Sequence, residues 1–393
     1  MTTPQTTLSI LHSLIGFASV SSESNLDIVQ WIEDYLSQHG VTSRRIPDRT
    51  GRKASILATI GPAGRAGVVL SAHTDVVPVA GQDWSSPPFT ATQNGDRVIG
   101  RGTTDMKGFI ASVLAHVPLF VASAAAAPIH IALSYDEEVG CLGAPDLVAE
   151  VAKADVKPAL CIVGEPTGHA VGYAHKGKVA RRVIVTGRGG HSALPHRAAN
   201  AVLAAARIAA GLEDLAQRMA RDSARDAAFD PPYTTIHVGS LHGGTALNFV
   251  PDRATLEFEI RHTPGTDVEA LLGEIGACIA GARERLKAQA PEAGILVEDL
   301  ASYPALVTAS TDPAIATAQR LAGGTEPART VSFGTEAGIY SAAGIPTVVC
   351  GPGDIVRAHK ADEWIGIDEL ARTDRMMQRL AAQLGRPAEE WIR

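Results

Sequence analysis

The sequence predicts an α/β fold interrupted by an inserted βαββαβ domain of ferredoxin-like order. Three observations predict it. At 393 residues the chain exceeds the ~250–300 residues at which a single core usually divides, so two domains are expected. Short β-branched runs alternate with helical stretches up to about residue 178 and again after Pro304, the rhythm of an α/β sheet. Between them the order is strand, helix, two strands, helix, strand. The expected boundaries are 1–178 and 305–393 for the α/β domain and 179–304 for the insertion.

The elements follow in chain order. Leu8, Ile10, Leu11, Leu14 and Ile15 recur with helical spacing and no basic stretch precedes them, so the N-terminus reads as an amphipathic first helix rather than a secretion signal. ASILATI and GVVLSAHTD are strands, a helix is expected near 107–122, IHIALSYD is a strand, a helix spans about 143–153, and PALCIVGEP is a strand. In the insertion VARRVIVTG is a strand, Ala199 to Ala216 a helix, TTIHVGSLHGG and ATLEFEIRH strands, Asp267 to Ala288 a helix and GILVEDLA the last strand. A helix near 312–322, the strand PTVVCGPG and a helix from Asp368 complete the first domain.

Composition narrows the function. A chain 45% hydrophobic and 20% charged buries a core and is not disordered. A net charge of −7 with no basic block gives nothing for nucleic acid or an anionic membrane to bind, leaving small molecules as the expected partners. Cys141, Cys161, Cys278 and Cys350 lie far apart, without the spacing of a disulfide framework or thiolate metal site, and a reducing cytoplasm suits them. No run of 18 apolar residues is present.

Acidic residues and histidines fall just after the strands of the first domain. His73 and Asp75 follow GVVLSA two apart, on one face of extended chain. Asp105 sits in the glycine-rich GRGTTDMKG, Glu137 and Glu138 close IHIALSYDEE, Glu165 closes PALCIVGE, and His359 follows PTVVCGPG. Ligands of open α/β sheets bind beyond the carboxyl ends of the strands, so these segments are expected to share one crevice. That many carboxylates do not all stay ionised without compensation, and metal cations supply it. One histidine and one carboxylate per metal, with a third carboxylate bridging, leaves each ion an open position for water. The ligands suit two divalent ions, Zn²⁺ with Co²⁺ or Mn²⁺ as alternatives. His116, His130 and His237 lie within helix or strand patterns and read as structural.

SAHTDVVPV, GRGTTDMKG, YDEEVG, GEPT and the late His359 resemble, in order and along essentially the whole chain, the M20 family of metallopeptidases and deacylases. The resemblance implies a mixed central sheet of di-zinc exopeptidase type. His73, Asp105 and Glu165 would hold one metal, and His359, Asp105 and Glu138 the other. Asp75 would orient His73, Asp105-Met106 would be a cis peptide, and Glu137 would be the general base toward a water acidified between the metals. It further implies that the insertion forms a homodimer and closes over substrate as a lid, and that His191 supplies an oxyanion donor from the partner subunit, the alternative being a helix-start histidine within its own lid. YAHKGKVARRVIVTGRGGHSALP and VSFGTEAGIYSAAGIPTVVCGPGDIVRAHKADEWI look most like the members that deacetylate N-acetyl-L-ornithine. The alternatives are succinyl-diaminopimelate desuccinylase, another N-acyl amino acid deacylase, a dipeptidase, or a non-catalytic binding protein.

For such a substrate Arg261 is the candidate for the α-carboxylate, since guanidinium meets carboxylate through two bonds. Asn248 matches a family substrate-contact position. Lys176 is read either as a substrate contact or as a surface charge, and Glu336 either as facing the δ-ammonium or as capping the helix at Ala337 to Ala342.

Overall fold

The computed structural model describes residues 6–324 and 326–393. They divide into two compact units, one running to His175 and resuming at Leu306–Arg393, the other Lys176–Ala305.

The first unit is built on a nine-stranded mixed sheet. Its order is Ser43–Pro47, Ala54–Ile60, Ile129–Ser134, Val68–His73, Leu160–Pro166, Thr347–Gly351, Gly172–His175 and Leu306–Val307, with Arg329–Thr330 beside Gly172–His175. Val68–His73 runs parallel to both Ile129–Ser134 and Leu160–Pro166, and the latter runs parallel to Thr347–Gly351. Four strands therefore finish at the same edge, which brings together the residues that follow them. Every residue of Val68–His73, Leu160–Pro166 and Thr347–Gly351 is buried, as in a parallel strand covered on both faces. Val68, Leu70 and Ala72 enter the core formed with Ile10, Leu14, Phe109, Ile110, Met376 and Leu380 from the helices of one face. Val69 enters a smaller core with Leu147, Val148, Ala337 and Tyr340 on the other. Ser71 and His73 alternate with Val68, Leu70 and Ala72, so the strand's pleat turns them toward this second face.

The first helix is Thr7–Ile15, with Thr6 accepting from Ser9 N at its start. The single helix expected near 107–122 is instead an irregular turn Thr103–Lys107, a helix Gly108–Ala115 and a second helix Val117–Ser123, bent by 45°. Pro118 in the first turn of the second helix lacks the N–H to continue the first, and its ring crowds the preceding turn. Asp105-Met106 is cis. The edge strand Ser43–Pro47 and the small sheet of Thr92–Asn94, Arg97–Ile99 and Trp364–Gly366 were not foreseen, because SRRIP is mostly polar and exposed and the three-residue strands are too short to show a period. No single helix among the described residues is long and apolar enough to cross a membrane.

The second unit is a four-stranded antiparallel sheet ordered Thr235–Gly243, Arg253–His262, Gly177–Thr186 and Gly294–Tyr303, with helices Ala201–Asp222 and Val268–Lys287. This is the ferredoxin-like βαββαβ arrangement. Asn200 and Asp267 cap the two helices by accepting from Leu203 N and Ala270 N. Ile208, Leu212, Leu271, Ile275, Phe258 and Val183 form its core.

Candidate metal centre

The sheet's carboxyl edge gathers His73, Asp75, Asp105, Glu137, Glu138, Glu165 and His359. His73 ends its strand with its ring buried, and Nδ1 lies 2.9 Å from the Asp75 carbonyl. A carbonyl only accepts, so Nδ1 carries the proton and Nε2 is left to face the carboxylates. Asp105 Oδ1 is 3.0 Å from that nitrogen and Glu165 Oε1 3.7 Å. On the far side of Asp105, Oδ2 lies 3.2 Å from His359 Nε2, and Glu138 Oε2 is 3.0 Å from the same nitrogen. Asp105 thus stands between two histidine and carboxylate pairs and turns one oxygen to each. His359, on a loop residue with φ of 62°, has a half-exposed ring, while the other members are buried or nearly so.

Proximity alone does not sort ligand from base. Ligand atoms of His73, Glu137 and Glu165 lie within 4.8 Å of one another, as do those of His73, Asp105 and Glu138. The direct pairs are more informative: Glu138 and Asp105 contact His359, whereas the Glu137 carboxylate accepts from Cys141 Sγ at 3.4 Å.

The electrostatics fit a cationic occupant. Burial pushes Glu137 well above the usual carboxylate range, with Glu138, Asp105 and Asp75 adding to it against His73. Burial and Asp105 push Glu138 up to about 7 against the His359 bond, and burial with Asp105 and Glu137 raises Glu165 strongly. Asp105 is instead held low, because the His359 and His73 bonds outweigh burial. His359 rises to about 10 through its bonds to Asp105 and Glu138. His73 is raised as well, burial being outweighed by Asp105, Asp75 and Glu165. Two imidazole nitrogens drawn toward positive charge among buried carboxylates are donors of the kind that could hold divalent metal ions.

The Asp75 carboxylate makes its hydrogen bonds elsewhere than to His73. Oδ1 is 3.6 Å from the His73 ring and accepts from Glu137 N at 3.1 Å; Oδ2 accepts from Ser21 Oγ at 2.6 Å and from Glu138 N at 3.4 Å. The main-chain carbonyl orients the histidine, and the carboxylate holds the turn carrying Glu137 and Glu138. Beside that turn Lys53 Nζ donates to both Asp136 oxygens at 2.6 Å. Ser21 and Lys53 carry no sequence signal, since each acts from an ordinary loop or strand start.

Glu336 corrects both of its readings. It caps nothing: it precedes helix Ala337–Ala342 without a side-chain cap bond. Its carboxylate is 1% exposed and accepts from Ser71 Oγ and Ser134 Oγ, each at 2.6 Å, beneath His73. A group so enclosed offers no surface to a substrate ammonium. Lys176, in the second unit, is not a loose surface charge, because its ammonium donates to the Pro231 and Tyr233 carbonyls, both at 2.7 Å. Also there, Arg261 donates to Glu259 Oε1 at 3.0 Å and Tyr303 Oη at 2.9 Å, Asn248 is exposed and its carbonyl accepts from Ser192 N, and exposed His191 accepts at Nδ1 from Ala193 N. His116 and His130 are structural, bonding to Ser112 O and Thr59 Oγ1.

An α/β sheet whose carboxyl edge gathers two histidines and buried carboxylates around Asp105, close enough to hold metal ions, has the make-up of a metal-dependent hydrolase. Residues 69–383 match the model of Peptidase family M20/M25/M40, and the chain belongs to that family. Within it the chain is most like acetylornithine deacetylases. Those of Pasteurella multocida and Proteus mirabilis are each 30% identical, over 96% and 95% of this chain and 97% and 96% of their own. Among solved structures, the M20 metallo-carboxypeptidase Sso-CP2 of Sulfolobus solfataricus superposes with a TM-score of 0.78 at 18% identity, over 97% of this chain and 99% of that one. The dipeptidase Dug1p of Saccharomyces cerevisiae gives 0.73 at 17%, over 96% and 95%. At those identities the likeness shows the fold.

Proposed function

We propose that this metal-dependent amidohydrolase cleaves the amide of N-acetyl-L-ornithine to L-ornithine and acetate. The observation that carries the chemistry is the shared Asp105, with His73 and Glu165 on one side and His359 and Glu138 on the other. The substrate rests on the full-length likeness to acetylornithine deacetylases.

His73, Asp105 and Glu165 would hold one divalent ion and His359, Asp105 and Glu138 the second; zinc suits the set, with cobalt or manganese on the same donors. Such ions supply Lewis acidity to the acyl oxygen and lower the pKa of water toward neutrality. Glu137 is left for proton transfer, taking the proton of the attacking water and returning it to the departing amine. Burial raises its proton affinity, which suits a group that must hold a proton between two steps. Asp75 keeps Glu137 aimed through the bond to its backbone N–H.

The second unit is proposed to pair two chains and to supply His191 of the partner subunit to the oxyanion. Arg261, its plane fixed by Glu259 and Tyr303, is proposed to meet the α-carboxylate, with Asn248 as a further contact. Four free cysteines suit a reducing cytoplasm. The test is kcat/KM for N-acetyl-L-ornithine, other N-acetyl amino acids, succinyl-diaminopimelate and dipeptides. N-acetyl-L-ornithine is expected to lead, another leader overturns the substrate, and turnover of none overturns the activity.

A further inference from the structure

Asp105 and His359 arrive from segments more than 250 residues apart, and their relative placement sets the spacing of the two metal positions. One buried carboxylate spans that gap. Glu363 lies four residues beyond His359, just before the strand Trp364–Gly366, which pairs antiparallel with Arg97–Ile99. Its carbonyl accepts from Gly100 N at 2.9 Å, so its side chain turns back into the loop that carries Asp105. There Oε1 accepts from Thr104 N at 2.9 Å and from Asp105 N at 3.0 Å, and Oε2 accepts from Gly102 N at 3.0 Å and Arg101 Nη1 at 2.7 Å. Both Glu363 and Arg101 are 1% exposed.

The network does not end at Arg101. Its Nη2 donates to Gln82 Oε1 at 2.6 Å, as does Trp84 Nε1 at 3.1 Å. Two donors fix that atom as the amide oxygen, so the amide nitrogen faces the other way. It donates to the main-chain carbonyl of His359 at 3.1 Å. A continuous path thus runs from the Asp105 N–H through Glu363, Arg101 and Gln82 to the His359 backbone. The His359 turn gains from such support, because His359 and Asp362 both hold positive φ, 62° and 55°, which costs a residue carrying a Cβ more than it costs glycine.

We propose that Glu363, with Arg101 and Gln82, is a positioning residue that fixes the distance between the bridging Asp105 and His359, and so the spacing of the metal pair. The proposal rests on the two-metal reading above. A buried ion pair is not needed for stability, since apolar groups of similar volume often serve as well, but four directed bonds to one loop give it geometric control.

The experiment titrates metal-stripped full-length chain with Co²⁺ by calorimetry, following the visible cobalt absorption and, separately, the unfolding temperature. Wild-type chain is expected to show two binding steps. Glu363→Gln keeps one acceptor edge and sets an NH₂ against either the Arg101 side or the two loop N–H groups. Both steps should weaken, each by about 10–100-fold, because both ions share Asp105. Gln82→Ala removes the link to His359 together with the acceptor of Arg101 Nη2 and Trp84 Nε1, leaves the four Glu363 bonds in place, and should weaken one step well beyond the other. Titrations of both variants that match wild type overturn the proposal, as does equal weakening of both steps in Gln82→Ala alongside a general loss of thermal stability. If Glu363→Gln does not fold, Gln82→Ala alone decides between those results. A wild-type chain that takes up no second ion overturns the two-metal reading and the brace with it.

Discussion

Replacing Asp75 with Asn separates the job that family resemblance implied for its carboxylate, orienting His73, from the job its hydrogen bonds perform. The 2%-exposed carboxylate accepts from Glu137 N, Glu138 N and Ser21 Oγ, while His73 Nδ1 bonds to the carbonyl of residue 75. Asn keeps a single acceptor oxygen. However the amide turns, its NH₂ faces a backbone N–H of the Glu137–Glu138 turn, and one charge-assisted bond worth about 1.5–3 kcal/mol is lost. At about 1.4 kcal/mol per decade, turnover should fall about 10–100-fold as the base loses its aim. The His73 bond survives, since the main chain is unchanged, so ion affinity should move little. Steady-state hydrolysis of N-acetyl-L-ornithine beside Co²⁺ titration measures both, and Ser21→Ala, which removes the 2.6 Å bond and a 3.5 Å approach to the Val76 carbonyl but keeps both backbone N–H bonds of the turn, should cost less. Loss of ion affinity in proportion to turnover would refute the reasoning and return the carboxylate to the role of orienting His73.

Two further outcomes follow from packing and charge. A Cβ at Gly164, next to Glu165, would lie 2.1 Å from the Phe109 ring, so Gly164→Ala should destabilise by at least about 1–3 kcal/mol in denaturant unfolding; an unchanged midpoint would count against the packing described. His169 is 3% exposed, bonds to Thr373 Oγ1 at 2.8 Å and is pushed down to about 3 by burial, with Arg372 and Arg375 adding to it. With a folded pKa below the unfolded 6.5, its contribution is complete above pH 6.5 and is lost as pH falls toward 3. The limiting slope is about 1.4 kcal/mol per pH unit. His169→Gln should flatten the acid limb of the stability curve between those limits, and an equally steep limb would remove His169 as its source.

The strand ends were legible because apolar runs such as GVVLSA and PALCIVG stop abruptly at ligand-type residues, and buried parallel strands must run unbroken in apolar character. The ferredoxin-like unit was legible for a related reason: its strands alternate and its helices are capped by Asn200 and Asp267. What stayed hidden depends on tertiary partners. Nothing local distinguishes Glu363 from a solvated carboxylate until the loop of Gly102, Thr104 and Asp105 closes on it. Glu336 misled for the same reason, because a carboxylate before a helix usually caps it, and here Ser71 and Ser134 draw it inward. Lys176 looked free because the loop containing Pro231 lies 55 residues away in sequence. The cis peptide after Asp105 came from family resemblance, since spacing carries no trace of it.

If a buried metal pair and a separate proton carrier share this site, Glu137→Gln should part the two functions. Metal content by mass spectrometry and turnover of N-acetyl-L-ornithine are measured on the same preparation. Two ions per chain with turnover reduced by about 10²–10⁴-fold is the expected result. Turnover near wild type, or loss of ions in step with loss of turnover, would contradict it.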